Sequence, residues 1–378
     1  MDGPVRVRRP GRGTTTGDGT AGTSAGVGVA GGGEVGVGLV GYGLAGSILH
    51  APLVGAEPRL RLHAVASTRP DRVHRDLPAV PVVATPAELL GDPGVELVVV
   101  AAPNTAHFDL ARQALAAGRH VVVDKPFVIR SAEAEELIRL AGEQGLVLSV
   151  FHNRRWDDDF RTVEQVVRSG LLGRVATYAA SYHRFLPDPV RGWREQPGPG
   201  SGVLYDLGSH LIDQALHLFG PPATVMADVR AQRPGATADD YVHLVLGYGP
   251  LRVILHAGSL VRATGPRFEV HGDRGSFAMH GIDGQEAALR QGRRPGDPGW
   301  GRDREDRYGT LTTDLGGLPV VARVEALPGS YEAYYAGIAG AILDGGPVPV
   351  PAGEAADTIR VIEAAQASSS DGRVVEPG

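Results

Sequence analysis

A short apolar strand, Val35 to Val40, runs directly into Gly41-Tyr42-Gly43-Leu44-Ala45-Gly46, and Ser47-Ile48-Leu49-His50 continues it with helical spacing. A second apolar run, Leu60 to Ala66, follows at the distance expected of a βαβ unit. That context gives the glycines defined jobs. Gly41 permits a tight turn, Gly43 lets the backbone approach a pyrophosphate, and Gly46 lets helix and strand pack closely. The first turn of the helix, including Leu44 and Ala45, offers unpaired N–H groups to the anion. The segment predicts a dinucleotide site, and few folds can present one in this way.

The following sequence keeps the same rhythm. Strands are predicted at Glu96–Ala101, His120–Val123 and Leu146–Val150, with helices at His107–Ala117 and Ala132–Gly145. Near-continuous Val and Leu runs are what strands need when helices cover both sheet faces. Alternation of strand and helix with short loops predicts an α/β fold, a doubly wound parallel sheet of Rossmann type over about 34–153. Past Asn153 the pattern changes. A helix is expected at Asp158–Ser169, then strands at Val175–Tyr182, Thr224–Arg230, Asp240–Leu246, Arg252–Ser259 and Arg267–His271. These lack regular helical crossovers, so a second, mostly antiparallel sheet is expected over 154–370. Gln291–Arg307 reads as a surface loop, and Tyr331–Leu343 and Ala355–Ala367 as closing helices.

Composition narrows the function classes. Glycine, at 54 of 378 residues, is concentrated in residues 1–33, which hold almost nothing to bury and are expected to be disordered. Lys and Arg number 37 against 43 Asp and Glu, a net charge of −6 that gives no footprint for nucleic acid. No apolar run is long enough for a membrane span. With no cysteine there is no disulfide, thiol nucleophile or thiolate metal site. No HExxH pair is present, and no metal is expected. No targeting element stands out, so a cytoplasmic location is the default expectation.

The end of the second strand selects the cofactor. An NAD site usually places a carboxylate there for the ribose hydroxyls. This chain has Ser67, Thr68 and Arg69, and no acid until Asp71. Two hydroxyls and a guanidinium suit a 2′-phosphate, so NADP is expected, with NAD the alternative. Two clusters supply chemistry. His120-Val121-Val122-Val123-Asp124-Lys125-Pro126 delivers Lys125 at the carboxyl end of a buried strand, where such sheets bind ligands. In Gly200-Ser201-Gly202-Val203-Leu204-Tyr205-Asp206-Leu207-Gly208-Ser209-His210, a helix from Leu204 would put Asp206 and His210 on one face.

With these motifs in this order, the chain resembles the Gfo/Idh/MocA oxidoreductases, and within them the NADP-dependent scyllo-inositol dehydrogenase-like branch. The resemblance rests on GYGLAG, APNTAH at 102–107, AGRHVVVDKPF at 117–127 and the glycine-flanked segment through His210. It also takes in His50-Ala51-Pro52, the run Phe151 to Asp157, Gly275-Ser276-Phe277, Gln285-Glu286 and Gly299-Trp300-Gly301. It implies a Rossmann domain followed by an α/β domain with a large open antiparallel sheet that mediates homodimer or homotetramer contacts. It implies Pro103, Asn104, His107 and Lys125 near the nicotinamide, Asp206 beside substrate and His210 in proton transfer. Asp124 stands where the family more often has Glu, and Ser201 where Gly is more typical.

The chemistry is consistent with those roles. Oxidising a secondary alcohol removes a hydroxyl proton as hydride leaves, and histidine is a suitable base. A neighbouring ammonium would stabilise the developing alkoxide. Whether His210 or Lys125 carries the proton stays open at this level. A cyclic polyol or sugar is the expected substrate, scyllo-inositol and its inosose first. A keto-sugar reductase and a non-catalytic NADP-binding sensor are the alternatives. Polyol contacts are expected from Asn153, Arg155, Trp156 and Asp157 on the loop leaving the last parallel strand, with His152, Tyr182 and His183 as further candidates.

Overall fold

Six parallel strands in the order β3-β2-β1-β4-β5-β6 form the first sheet. The computed structural model describes residues 33–378 except 190, 191, 193 and 194, so residues 1–32 of the expected disordered tail lie outside it. In chain order come β1 (Val35–Val40), a wide helical turn (Ala45–His50), α1 (Ala51–Val54), β2 (Leu60–Ala66), α2 (Pro70–Asp76), β3 (Val82–Val83) and α3 (Pro86–Leu90). There follow β4 (Leu97–Val100), α4 (His107–Ala116), β5 (His120–Asp124), α5 (Ser131–Gln144) and β6 (Leu148–Phe151). β1 and β4 are buried at every residue, as a strand between two helical layers must be. Strand order turns back between β1 and β4, and ligands of such sheets bind at that switch point.

The second half builds an eight-stranded sheet in the order β14-β13-β12-β11-β7-β10-β9-β8. Its elements are α6 (Asp158–Ser169), β7 (Val175–His183), α7 (Ser209–Phe219), β8 (Thr224–Arg230), β9 (Tyr241–Tyr248), β10 (Leu251–Gly258), β11 (Phe268–Gly272) and β12 (Gly275–Met279). α8 (Gln285–Arg290), β13 (Gly309–Leu315), β14 (Leu318–Val324), α9 (Glu332–Leu343) and α10 (Ala352–Asp371) complete it. Pairing is antiparallel except between β7 and β10. In β7, Tyr178, Ala180 and Tyr182 are buried under helices, and the alternate residues face the open side.

β12, β13 and β14 were not expected from apolar runs. β13 reads Gly-Thr-Leu-Thr-Thr-Asp-Leu, where threonines replace the aliphatic residues that flag a strand. The local signal is the turn: Gly316 and Gly317 both take positive φ, 64° and 84°, as a tight two-residue hairpin requires. Gln291–Arg307 is irregular apart from one short turn at Glu305–Arg307, as expected of a loop.

The halves interlock. α10 packs on α5 of the first half and on α7 and β8 of the second, while α9 packs on α1 and α8 on the wide turn after the glycines. No helix among the described residues is long and apolar enough to cross a membrane.

Candidate active site

The glycine turn has the geometry its spacing demands. Gly41 sits at φ 96°, a region closed to most side chains, and a Cβ on Gly46 would lie 2.2 Å from the Gly41 carbonyl oxygen. A Cβ on Gly43 would meet nothing within 4 Å, because that position opens onto a cavity of about 500 Å³. The helix beyond starts wide: the Ala51 N–H reaches back five residues to the Gly46 carbonyl. Such π-type turns occur frequently at functional sites.

Gly41, Gly43, Leu44, Ala45, Ser67, Thr68 and Arg69 line this cavity at one end. Pro103, Asn104 and Lys125 line it at the other. No carboxylate stands at the end of β2, and Ser67 Oγ accepts the Arg69 N–H at 3.1 Å. A backbone open at Gly43, with hydroxyls and a guanidinium beside it, fits a dinucleotide. Arg72, which sequence reasoning passed over, donates to Ser47 Oγ at 3.2 Å and so ties α2 to the glycine turn. Its signal was a second arginine in the first turn after Arg69.

Two expected cofactor residues lie behind the wall instead of in it. Gly46 is buried under the turn. His107 is fully buried, and its ring nitrogens face the carbonyls of Pro126 at 2.8 Å and Ala102 at 2.9 Å. It staples together the loops at the carboxyl ends of β4 and β5. Asn104 Nδ2 donates to the Gly200 carbonyl at 2.7 Å, joining the first half to the glycine-flanked segment of the second.

A smaller cavity of about 220 Å³ adjoins the first and shares Leu44, Ala45, Asp124 and Lys125 with it. Lys125 Nζ donates to the Asp206 carbonyl at 2.7 Å and to its Oδ1 at 3.0 Å, while Arg184 approaches Oδ2 at 3.5 Å. The helix carrying Asp206 and His210 also opens with a wide turn, Leu204–Gly208, where the Ser209 N–H reaches back to Leu204. Asp206 and His210 both line the small cavity. His210 is buried and its Nδ1 has no hydrogen-bond partner. Burial, then the positive charge of Lys125 and Arg154, holds its pKa well below the ordinary histidine value. His152 stands edge-on to it at 6.4 Å and is pushed down to about 4, chiefly by burial.

Of the expected substrate contacts, Asn153 lines the small cavity. Arg155, Trp156, Asp157 and Tyr182 do not, and each has a structural reason. Arg155 forms a buried bidentate pair with Asp213, at 2.9 and 2.7 Å, and reaches Glu354 at 2.7 Å. The Trp156 ring packs edge-on to Tyr334 at 5.5 Å. Asp157 accepts from the Tyr331 hydroxyl at 2.7 Å and from Arg154 at 3.1 Å. Tyr182 is a platform whose ring lies 5.1 Å from the Arg154 guanidinium and 5.3 Å from that of Arg184. The residues that do line the cavity include Arg154, Arg184, Glu286 and Arg290, which side-chain chemistry alone did not single out. Glu286 and Arg290 stand four apart on α8, a spacing visible in sequence but indistinguishable there from a surface ion pair.

Residues 35–152 match the NAD-binding Rossmann-fold part of the Gfo/Idh/MocA oxidoreductases, and residues 164–376 match their C-terminal alpha/beta domain. The chain belongs to the Gfo/Idh/MocA oxidoreductase family. It is 45% identical over 329 residues to the scyllo-inositol 2-dehydrogenase (NADP(+)) IolW of Bacillus subtilis, covering 87% of this chain and 92% of the relative. An uncharacterized oxidoreductase of Escherichia coli, YdgJ, is 46% identical over 83% of this chain and 90% of its own length. Among solved structures, Bacillus subtilis YvaA superposes with a TM-score of 0.89 at 44% identity, covering 92% of this chain and 99% of that one. Yersinia pestis YPO2259 gives 0.87 at 44% identity, covering 91% and 97%. The chain is therefore a member of an oxidoreductase family with an NAD(P)-binding Rossmann domain and a mostly antiparallel C-terminal sheet.

Proposed function

We propose that this chain is an NADP-dependent dehydrogenase of a cyclic polyol, interconverting a ring hydroxyl and its ketone, with scyllo-inositol and inosose as the first candidates. The observation that carries the reading is the meeting of two cavities at Asp124 and Lys125, with the Lys125–Asp206 pair and His210 in the smaller one. NADP, when bound, supplies the hydride acceptor or donor. Preference for it over NAD rests on Ser67, Thr68 and Arg69, with Arg72 behind them, and on the absence of a carboxylate at the end of β2.

The chain's own residues manage the proton. Lys125 directs two N–H bonds at Asp206, which leaves a third for a substrate oxygen and lets the ammonium favour developing alkoxide charge. His210, held neutral by burial and nearby cations, is the proton acceptor in the oxidative direction. Paired charges, Lys125 with Asp206 and Glu286 with both Arg154 and Arg290, set donors beside acceptors. Hydroxyl groups, each donor and acceptor at once, match such pairs. The 45% identity to the Bacillus subtilis scyllo-inositol 2-dehydrogenase supports the substrate named. The open face of the second sheet is the surface we assign to a second copy in a homodimer or homotetramer, which sedimentation would test.

The reaction is tested by absorbance at 340 nm with NADP⁺ and, separately, NAD⁺ across inositols, aldoses and their keto forms. Turnover of scyllo-inositol with NADP⁺ is the expected result. Turnover of a keto-sugar alone would move the substrate to that class. Silence with tight NADPH binding would favour a sensor.

A further inference from the structure

Four residues line both cavities, and two of them are charged: Asp124 and Lys125. Lys125 has its counter-charge in Asp206 at 3.0 Å. Arg184 stands on the other carboxylate oxygen of Asp206 at 3.5 Å, with its side chain 41% exposed and screened by solvent. Asp124 is placed differently. Its Oδ1 accepts the Lys125 backbone N–H at 2.8 Å, and its side chain is only 13% exposed.

The groups behind Asp124 are imidazoles and a phenol. His50, fully buried, holds its Nε2 3.7 Å from Asp124 Oδ1, and its Nδ1 is 2.6 Å from the Tyr335 hydroxyl. Burial keeps Tyr335 a phenol, and in the tautomer that lets its O–H donate to Nδ1 the ring proton sits on Nε2, on the side of the carboxylate. Nε2 is buried with no hydrogen-bond partner, and the nearest carboxylate oxygen is Asp124 Oδ1 at 3.7 Å. His107, which also feels the Asp124 charge, has its pKa lowered by burial. Asp124 itself is pushed up by burial but drawn below the ordinary carboxylate value by His50, His107 and Lys125. A carboxylate is thus fixed at the junction, with α9 of the second half buttressing it through Tyr335 and His50.

A nicotinamide ring that exchanged hydride with a substrate in the small cavity would have to lie where the two cavities join, against Asp124 and Lys125. A nicotinamide ring carries one positive charge when oxidised and none when reduced. A fixed carboxylate beside it acts on one redox state only, and in a partly buried setting that interaction is only weakly screened. We propose that Asp124, positioned by the Tyr335–His50 pair, shifts binding at this site toward the oxidised dinucleotide and away from the reduced one. This inference rests on the dinucleotide-site reading above and deepens it. His50 and Tyr335 are positioning residues that act through Asp124.

The test is equilibrium binding by the full chain, with dissociation constants for NADP⁺ and NADPH measured separately by calorimetry. Asp124→Asn keeps the size of the side chain and removes the charge. It is expected to weaken NADP⁺ about ten-fold and NADPH less than two-fold, equal to raising the potential of the bound couple by about 30 mV. Asp124→Glu is expected to keep the wild-type ratio within about two-fold. Tyr335→Phe, remote from the cavities, should move the ratio the same way as Asp124→Asn by a smaller factor. Equal changes for both nucleotides in Asp124→Asn, or a Glu variant that behaves like the Asn variant, would overturn the proposal. Failure of the wild-type chain to bind either nucleotide would remove the dinucleotide reading and this inference with it.

Discussion

Lys125 follows β5 of the first sheet and Asp206 lies in the wide turn that opens a helix of the second half, yet Nζ and Oδ1 lie 3.0 Å apart. The pair joins the two halves of the molecule at the point where the two cavities meet. With side chains 14% and 21% exposed, it is shielded enough to matter electrostatically and open enough to reach a ligand.

Removing the ammonium should therefore impair chemistry more than cofactor binding. Lys125→Met is expected to lower kcat by about 10²-fold or more while leaving the NADPH dissociation constant within a few-fold. Steady-state kinetics combined with equilibrium binding checks this. Near-wild-type turnover would end the assignment of Lys125 to the reacting centre.

His210 carries a pH signature as well as a rate effect. His210→Asn should cost about 10²-fold in kcat. Because its pKa is held below the ordinary value, the imidazole remains a proton acceptor through pH 6.5. Oxidative kcat/KM in the wild type is expected to stay level there and to fall only at more acidic pH. A midpoint at 6.5 or above in the pH profile would contradict the burial argument.

Arg69 and Arg72 together should determine nucleotide choice. Arg69→Ala is expected to weaken NADPH about ten-fold or more and NADH by less than two-fold, since only NADPH carries the 2′-phosphate. Arg72→Ala should act in the same direction. Equal losses for both nucleotides would remove the 2′-phosphate argument.

Arg155 serves as the contrast. Its guanidinium is buried against Asp213 and Glu354, so Arg155→Met leaves a buried carboxylate without its partner. The expected loss is about 3–5 kcal/mol of stability, read by denaturant unfolding. A rise in substrate KM with unchanged stability would instead restore Arg155 to the substrate site.

Asp157, Asp158, Asp159 and Asp283 form a buried acidic group beneath the same region. Burial first, then Asp283 and Asp159, push Asp158 above the carboxylate range. A carboxyl raised in the folded state favours folding at low pH, and that contribution is lost as pH rises through its folded value. Asp158→Asn does not titrate, so the difference in melting temperature between variant and parent should grow in the variant's favour from pH 5 to pH 8. A difference that stays constant, or shrinks, would show that Asp158 is ionised in the folded protein throughout.

The sequence by itself determined what depends on local backbone conformation and period. Gly41 and Gly46 stand where no side chain fits, and β1, β4 and β5 are apolar because helices cover both faces. Those constraints act within a few residues, so the Rossmann half, the glycine turn and the positions of Lys125, Asp206 and His210 could be read along the chain. The threonine strand β13 could not, because its partners rather than its own apolar content make it a strand; only Gly316-Gly317 marked it locally.

Tertiary structure alone decided which polar residues reach the cavity. Arg154 and Arg155 are neighbours with the same side chain, yet one lines the small cavity and the other is locked against Asp213 and Glu354. A one-residue step around the short turn Asn153–Trp156 points them in different directions, toward partners up to 199 positions away in sequence. The same holds for His50, whose role depends on Tyr335 from the far end of the chain. A polar side chain's function follows from the charge that meets it, and only the folded chain brings those charges together.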